Sequence, residues 1–182
     1  MHSKKEIIMK RIPLVLSLVL FVSATFAQKI AYIETEKLVT SMEEFRQANE
    51  EIDAAIEEWN RQIDAKFQKI DSLYQAYVLN ESKLTDMEKK ARQEEIFSLE
   101  EQARQFREEI YGTGGKLARL QEEKIGPLYE QVREKAAEIA RENGYDYVFD
   151  KIPGGNWIYT NPDHDLTGRL AEALGITLES TE

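Results

Sequence analysis

Residues 42–77 read MEEFRQANEEIDAAIEEWNRQIDAKFQKIDSLYQAY, and the spacing within them decides the fold. Met42, Phe45, Asn49, Ile52, Ile56, Trp59, Ile63, Lys66, Ile70, Leu73 and Tyr77 follow one another at alternating intervals of three and four. Nine of these eleven positions are apolar or aromatic, with Asn49 and Lys66 the exceptions. A stripe repeating every 3.5 residues over five heptads is a coiled-coil seam. At 1.5 Å per residue the helix spans roughly 55 Å, too long to bury itself in a small globule, so it must project.

Downstream the pattern stops near 79–85, which marks a tip. Thr85-Asp86-Met87-Glu88 is a capping box that starts a second helix. Its seam reads Ile96, Leu99, Ala103, Phe106 and Ile110, then Leu117 and Leu120, then Leu128, Val132, Ala136 and Ile139. So short a turn predicts antiparallel neighbours, an αα-hairpin. Gly112, Gly114 and Gly115, and then Pro127, interrupt the second helix. Each glycine costs about 1 kcal/mol against alanine and an interior proline about 3 kcal/mol. These positions either adjust register where the arm meets the body or act as hinges. The loop lacks the Lys-Ser/Thr ending of a phosphate-binding loop.

Upstream, Thr35 caps a short turn, and Ser41-Met42-Glu43-Glu44 reads as another capping box. Residues 30–33 (Ile-Ala-Tyr-Ile) form an apolar run suited to a strand covered on both faces. Towards the C-terminus, Asn143-Gly144 ends the helix, and Tyr145, Tyr147 and Phe149 alternate on one strand face. A turn at Pro153-Gly154-Gly155-Asn156 then predicts a return strand at Trp157-Ile158-Tyr159, giving a β-hairpin over 145–160. Asp165 caps a last helix ended by Gly175. The fold class is α+β, mostly helical: a long antiparallel α-helical hairpin (a coiled coil) projecting from a small β body. Residues 28–40 and 142–182 form the body and 41–141 the arm. So few strands do not make a stable sheet alone, so the body is expected to associate with other copies. Ile30, Tyr32, Ile33, Tyr147, Phe149, Trp157 and Tyr159 are the candidates for that contact.

Residues 1–27 carry Lys4, Lys5, Lys10 and Arg11 ahead of an 11-residue apolar run, Ile12 to Val22, and end Ser-Ala-Thr-Phe-Ala. The run is too short to span a bilayer, which needs about 20 residues. A secretory signal peptide cleaved before Gln28 is expected, with no stable membrane insertion afterwards. Of 182 residues, 24 are basic and 34 acidic, for a net charge of −10; without residues 1–27 it becomes −13. That balance argues against a nucleic-acid partner, which requires clustered Lys and Arg. The stretch 61–92 departs from it, with seven bases against five acids. Lys83, Lys89, Lys90 and Arg92 make a basic tip on an acidic stem.

No enzyme signature stands out, and no catalytic residue, cofactor or metal ligand is assigned. The chain has no cysteine and only two histidines. Asp163-His164-Asp165 reads as a capping turn. Adjacent pairs such as Glu94-Glu95 do not converge on one helix face. The arm aromatics Trp59, Phe67, Tyr74, Tyr77, Phe97, Phe106 and Tyr111 exceed what a two-helix seam needs. They either broaden the seam or present weak contacts to a flexible chain.

The order of elements resembles the OmpH-like (Skp) family of periplasmic chaperones. The resemblance rests on residues 29–33, on Pro127-Leu128 leading into 136–150, and on Asp165-Leu166-Thr167, and it covers 28–176. It implies a periplasmic homotrimer whose arms surround a cavity. There it would hold unfolded outer-membrane proteins without ATP and release them near the outer-membrane assembly machinery, a further candidate contact. The alternative is a structural coiled-coil spacer or scaffold of the cell envelope without client activity.

Overall fold

The structure, a computed structural model, describes residues 28–178. The expected signal peptide, residues 1–27, lies outside the described residues. The elements run β1 (Ile30–Ile33), α1 (Thr35–Thr40), α2 (Glu43–Asn80), a 3₁₀ turn (Glu81–Lys83), α3 (Asp86–Tyr111), α4 (Lys116–Glu142), β2 (Tyr147–Asp150), a 3₁₀ turn (Pro162–His164) and α5 (Thr167–Leu174). The fold is the helical hairpin on a small β body that the spacing predicts.

The strands β1 and β2 pair in parallel, Ile30 opposite Tyr147 and Ile33 opposite Asp150. Parallel neighbours need a crossover connection, and here the crossover is the whole arm. One face of this two-stranded sheet carries Ala31, Ile33 and Val148, which pack with Leu38 and Val39 of α1, Leu128, Val132, Ala136 and Ile139 of α4, and Leu166, Leu170 and Ala171 around α5. The body therefore has a core of its own within one chain. Polar ties clamp its edges. The Thr35 amide donates to Asp150 Oδ1 (3.0 Å), the Glu34 amide to Thr167 Oγ1 (3.0 Å), and Lys151 Nζ to Glu34 Oε1 (2.8 Å).

The expected β-hairpin over 145–160 does not form, and Trp157-Ile158-Tyr159 is not a strand. Pro153 and Gly154 (φ +73°) turn the chain, closed by the Gly155 amide on Ile152 O. Beyond the turn, Trp157 lies edge-on against Phe149, ring centroids 5.8 Å apart. The chain then reaches the far edge of β1, where the Leu166 amide donates to Tyr32 O (2.9 Å). The free edge of β1 captures 165–166 and draws the segment away from β2.

Two helix starts differ from expectation as well. Glu34, not Thr35, precedes the first turn of α1, and Met42 precedes α2 with no capping side chain. Ser41 Oγ donates backwards to Lys37 O (2.8 Å) at the end of α1 and accepts from no amide of α2. The Thr85–Glu88 capping box is present in full. At the C-terminal helix, Asp165 Oδ1 accepts from the Thr167 amide (2.8 Å), and Gly175 ends α5 at φ +70°.

Candidate functional site

The arm is built on the predicted seam. Ile52, Ile63, Ile70 and Tyr77 of α2 are buried, as are Ile96, Ala103 and Ile110 of α3. The two polar seam positions are accommodated locally. Asn49 Nδ2 turns back to Phe45 O (2.9 Å), and Lys66 Nζ stands 4.8 Å from the Phe106 ring centroid, a cation–π contact. Lys116 approaches the same ring at 5.7 Å. Ala48, buried at 6 % exposure, belongs to the seam although it lies outside the predicted stripe.

The seam residues sort the arm aromatics. Tyr77 is buried and its hydroxyl accepts from Gln93 Nε2 (2.8 Å), so it joins the two helices and offers nothing to a partner. Trp59 and Phe106 are half-buried in the seam. Phe67, Tyr74, Phe97 and Tyr111 are exposed, Phe97 at 64 % and Tyr74 at 55 %.

These four share a structural address. Each directly follows a seam position: Phe67 follows Lys66, Tyr74 follows Leu73, Phe97 follows Ile96, Tyr111 follows Ile110. One residue is 100° of turn, and antiparallel helices reverse the sense, so residues one step past the seam on both helices project to the same side of the pair. The Tyr111 hydroxyl closes this geometry on Asn60 Oδ1 (2.8 Å), Asn60 itself following Trp59. Val78, which follows Tyr77, joins the same side. One step before the seam the residues are Gln62, Ala65, Lys69, Ser72 and Ala76 on α2 and Glu95, Ser98, Gln102, Gln105 and Glu109 on α3. All ten are exposed, and none is apolar beyond alanine. The arm has an aromatic side and a polar side.

The tip carries two apolar side chains that the stripe did not flag, Leu79 and Met87, 78 % and 79 % exposed. They interrupt the regular pattern at the turn, where periodicity carries no signal. Of the basic tip residues, Lys90 pairs with Glu94 (3.8 Å) and Arg92 with Glu95 (2.8 Å) on their own helix. Lys83 is exposed and Lys89 half-exposed.

The interruptions in the second helix have different outcomes. Gly112–Gly115 separates α3 from α4, and Gly114 adopts φ +68°. A Cβ on Gly112 would collide with Glu108 and its backbone oxygen; one on Gly115 would sit 2.6 Å from Ile110 O. Pro127, in contrast, lies within continuous α4.

At the body, Tyr32 and Ile33 are buried in the chain's own structure and present little surface to another copy. Ile30, Tyr147, Phe149, Trp157 and Tyr159 remain exposed, with Tyr147 stacked on Phe149 (6.2 Å). A groove of about 480 Å³ runs beside β1 between Ile30 and Tyr32 on one wall and Trp157 and Tyr159 on the other. Ile152 and Ile158, absent from the sequence candidates, are exposed nearby. Asp163-His164-Asp165 is a turn; Leu166, not Asp165, is the N-cap of α5, and Asp165, one residue ahead of it, accepts the Thr167 amide through its carboxylate. Among the described residues no helix is long and apolar enough to cross a membrane.

The family model described as outer membrane protein (OmpH-like) matches residues 29–174, which take in the body, both arms of the hairpin and α5. A comparison with curated proteins returns no match.

Proposed function

The chain belongs to the OmpH-like family, and from that premise we propose that it is an exported, ATP-independent holdase that keeps outer-membrane proteins from aggregating before their assembly. The family is of periplasmic chaperone type and non-enzymatic. The finer reading is that three copies join through their bodies and hold the unfolded client in the cavity between their arms.

One observation carries this reading: exposed aromatic side chains stand on an arm whose seam is already closed without them. Phe67, Tyr74 and Phe97 keep 38 %, 55 % and 64 % of their surface exposed, and that surface is available to a partner. Each such contact contributes a few tenths to about 1 kcal/mol, and several acting together hold a flexible chain without ATP. The body supports association. The sheet face opposite the core leaves Ile30, Tyr147, Phe149 and Trp157 in water, an apolar patch that a second copy would cover. The acidic stem keeps the loaded complex soluble. In the proposal the basic tip and the apolar Leu79 and Met87 reach beyond the client, where contact with the outer-membrane assembly machinery would occur.

The test is light scattering of a urea-denatured outer-membrane β-barrel protein diluted into buffer with residues 28–182. Suppression of scattering at one trimer per client is expected; scattering unchanged by an excess of the chain overturns the holdase reading.

A further inference from the structure

We propose that Asn143-Gly144 is a self-modification site that the body keeps latent: the asparagine converts to aspartate and isoaspartate when the corner joining β1, α4 and α5 opens. Asparagine is thermally labile, and it loses its side-chain amide by attack of the next residue's backbone nitrogen. Of the six asparagines in the chain, Asn143 alone precedes a glycine, which has no Cβ to obstruct that approach. A base takes the Gly144 amide proton, the nitrogen bonds to Asn143 Cγ, and the Cγ–Nδ2 bond breaks with release of ammonia. Water then opens the five-membered imide at one of its two carbonyls. Opening at Cγ gives aspartate, and opening at the backbone carbonyl gives isoaspartate. The net change is amide plus water to carboxylic acid plus ammonia, with nothing oxidised or reduced.

The folded body holds the reacting groups apart. Asn143 ends α4 with φ −102° and ψ 6°. That ψ sets the Gly144 nitrogen beside the Asn143 nitrogen and turned away from Cβ, so ring closure requires rotation about the Asn143 Cα–C bond. Hydrogen bonds on every side resist the rotation. The Gly144 amide donates to Arg141 O (3.3 Å) and the Tyr145 amide to Ala140 O (2.9 Å). Lys29 Nζ, just ahead of β1, donates to Asn143 O (2.9 Å) and stands 4.2 Å from the Tyr145 ring centroid. The side chain is held at both ends: Nδ2 donates to Ile139 O (2.7 Å), and Oδ1 accepts from Arg169 Nη1 of α5 (2.7 Å). Asn143 is half-buried and Gly144 exposed, so water reaches the pair, and conformation rather than burial prevents the reaction. Local opening that parts β1 or α5 from this corner removes the restraint. The two products differ in consequence. Aspartate keeps the backbone and gains Arg169 as a partner of opposite charge. Isoaspartate routes the backbone through the side chain, which adds a methylene between α4 and β2 and displaces the register of Tyr147 on Ile30. A chain whose body has opened is thereby marked irreversibly.

The test incubates residues 28–182 in warm, mildly alkaline buffer, folded in one series and unfolded in guanidinium chloride in the other. Mass spectrometry of the peptide containing position 143 follows the conversion, and electron-transfer fragmentation separates isoaspartate from aspartate. The folded chain is expected to convert at least about tenfold more slowly than the unfolded one, because its reaction waits on local opening. Lys29→Ala and Arg169→Ala each remove one solvent-exposed tie and leave the core untouched, so helix content, measured alongside, should be retained. Each should raise the folded rate about threefold or more and leave the unfolded rate unchanged. Equal rates in the folded and unfolded chain overturn the proposal. So does a slow folded rate that neither variant raises, since the opening of this corner would then not govern the reaction.

Discussion

The Tyr111 hydroxyl donates to Asn60 Oδ1 across the arm at 2.8 Å, directly ahead of the Gly112–Gly115 break. It ties the end of α3 to the middle of α2 at the point where α3 gives way to α4. Removing it by Tyr111→Phe keeps the ring and its partial burial. The loss is about 0.5–1 kcal/mol for a solvent-accessible neutral hydrogen bond. Amides of 112–115 should then exchange a few times faster while those of the body core do not change, as followed by hydrogen exchange.

Gly114→Ala should destabilise the chain by about 1–2 kcal/mol, because φ +68° places an alanine Cβ against its carbonyl although nothing else fills the space. Gly112→Ala should cost more, since there the new methyl meets the Glu108 backbone oxygen. Thermal unfolding ranks the two. The opposite order would show that the break is less ordered than its geometry.

Glu43 opens α2, and its hydrogen bonds with the Arg46 guanidinium and then Gln47 hold its carboxyl down at about 2, against an ordinary value of 4.5. A depressed carboxylate contributes stability that is complete above 4.5 and is lost as pH falls from there toward 2. The pair is fully exposed, so the contribution is small. Following the Glu43 side chain by NMR should show the low titration, and Arg46→Gln should return it toward 4.5.

Leu38 and Leu170 are fully buried in the body core. Leu38→Ala or Leu170→Ala should each cost about 2–5 kcal/mol, from lost transfer energy plus a residual cavity. Denaturant unfolding should show the loss. The arm variant Phe97→Ser, by contrast, removes an exposed ring and should leave the midpoint within about 0.5 kcal/mol.

Association through the exposed sheet face predicts that Phe149→Ser with Trp157→Ser lowers the sedimentation coefficient of residues 28–182 at micromolar concentration without changing the helix content. Unaltered sedimentation would place the contact elsewhere on the body.

The seam was legible because it is a local periodic property: burial every 3.5 residues leaves its mark on α2 and α3 one residue at a time. The Thr85 capping box and the αL glycines 144 and 175 were legible for the same reason, each being satisfied within four or five residues. What escaped sequence reading depends on groups far apart in the chain. Ser41 is a local exception: its hydroxyl turns back four residues to Lys37 O and does not cap α2. Trp157–Tyr159 has strand composition, yet the β1 edge draws residues 165–166 across before a return strand can pair. Tyr32 and Ile33 look like association residues until the fold buries them.

By itself, then, the amino-acid order determined paired rods on a compact base and where the rods turn, since helix, seam and cap are written in spacings of three to five residues. Tertiary structure alone decided that the two strands lie parallel, with the entire arm as their connection. It also decided which aromatics stay in water and that they gather on one side. Which side of a helix pair a residue occupies follows from the reversed sense of its neighbour, and that relation exists only once the two helices have met.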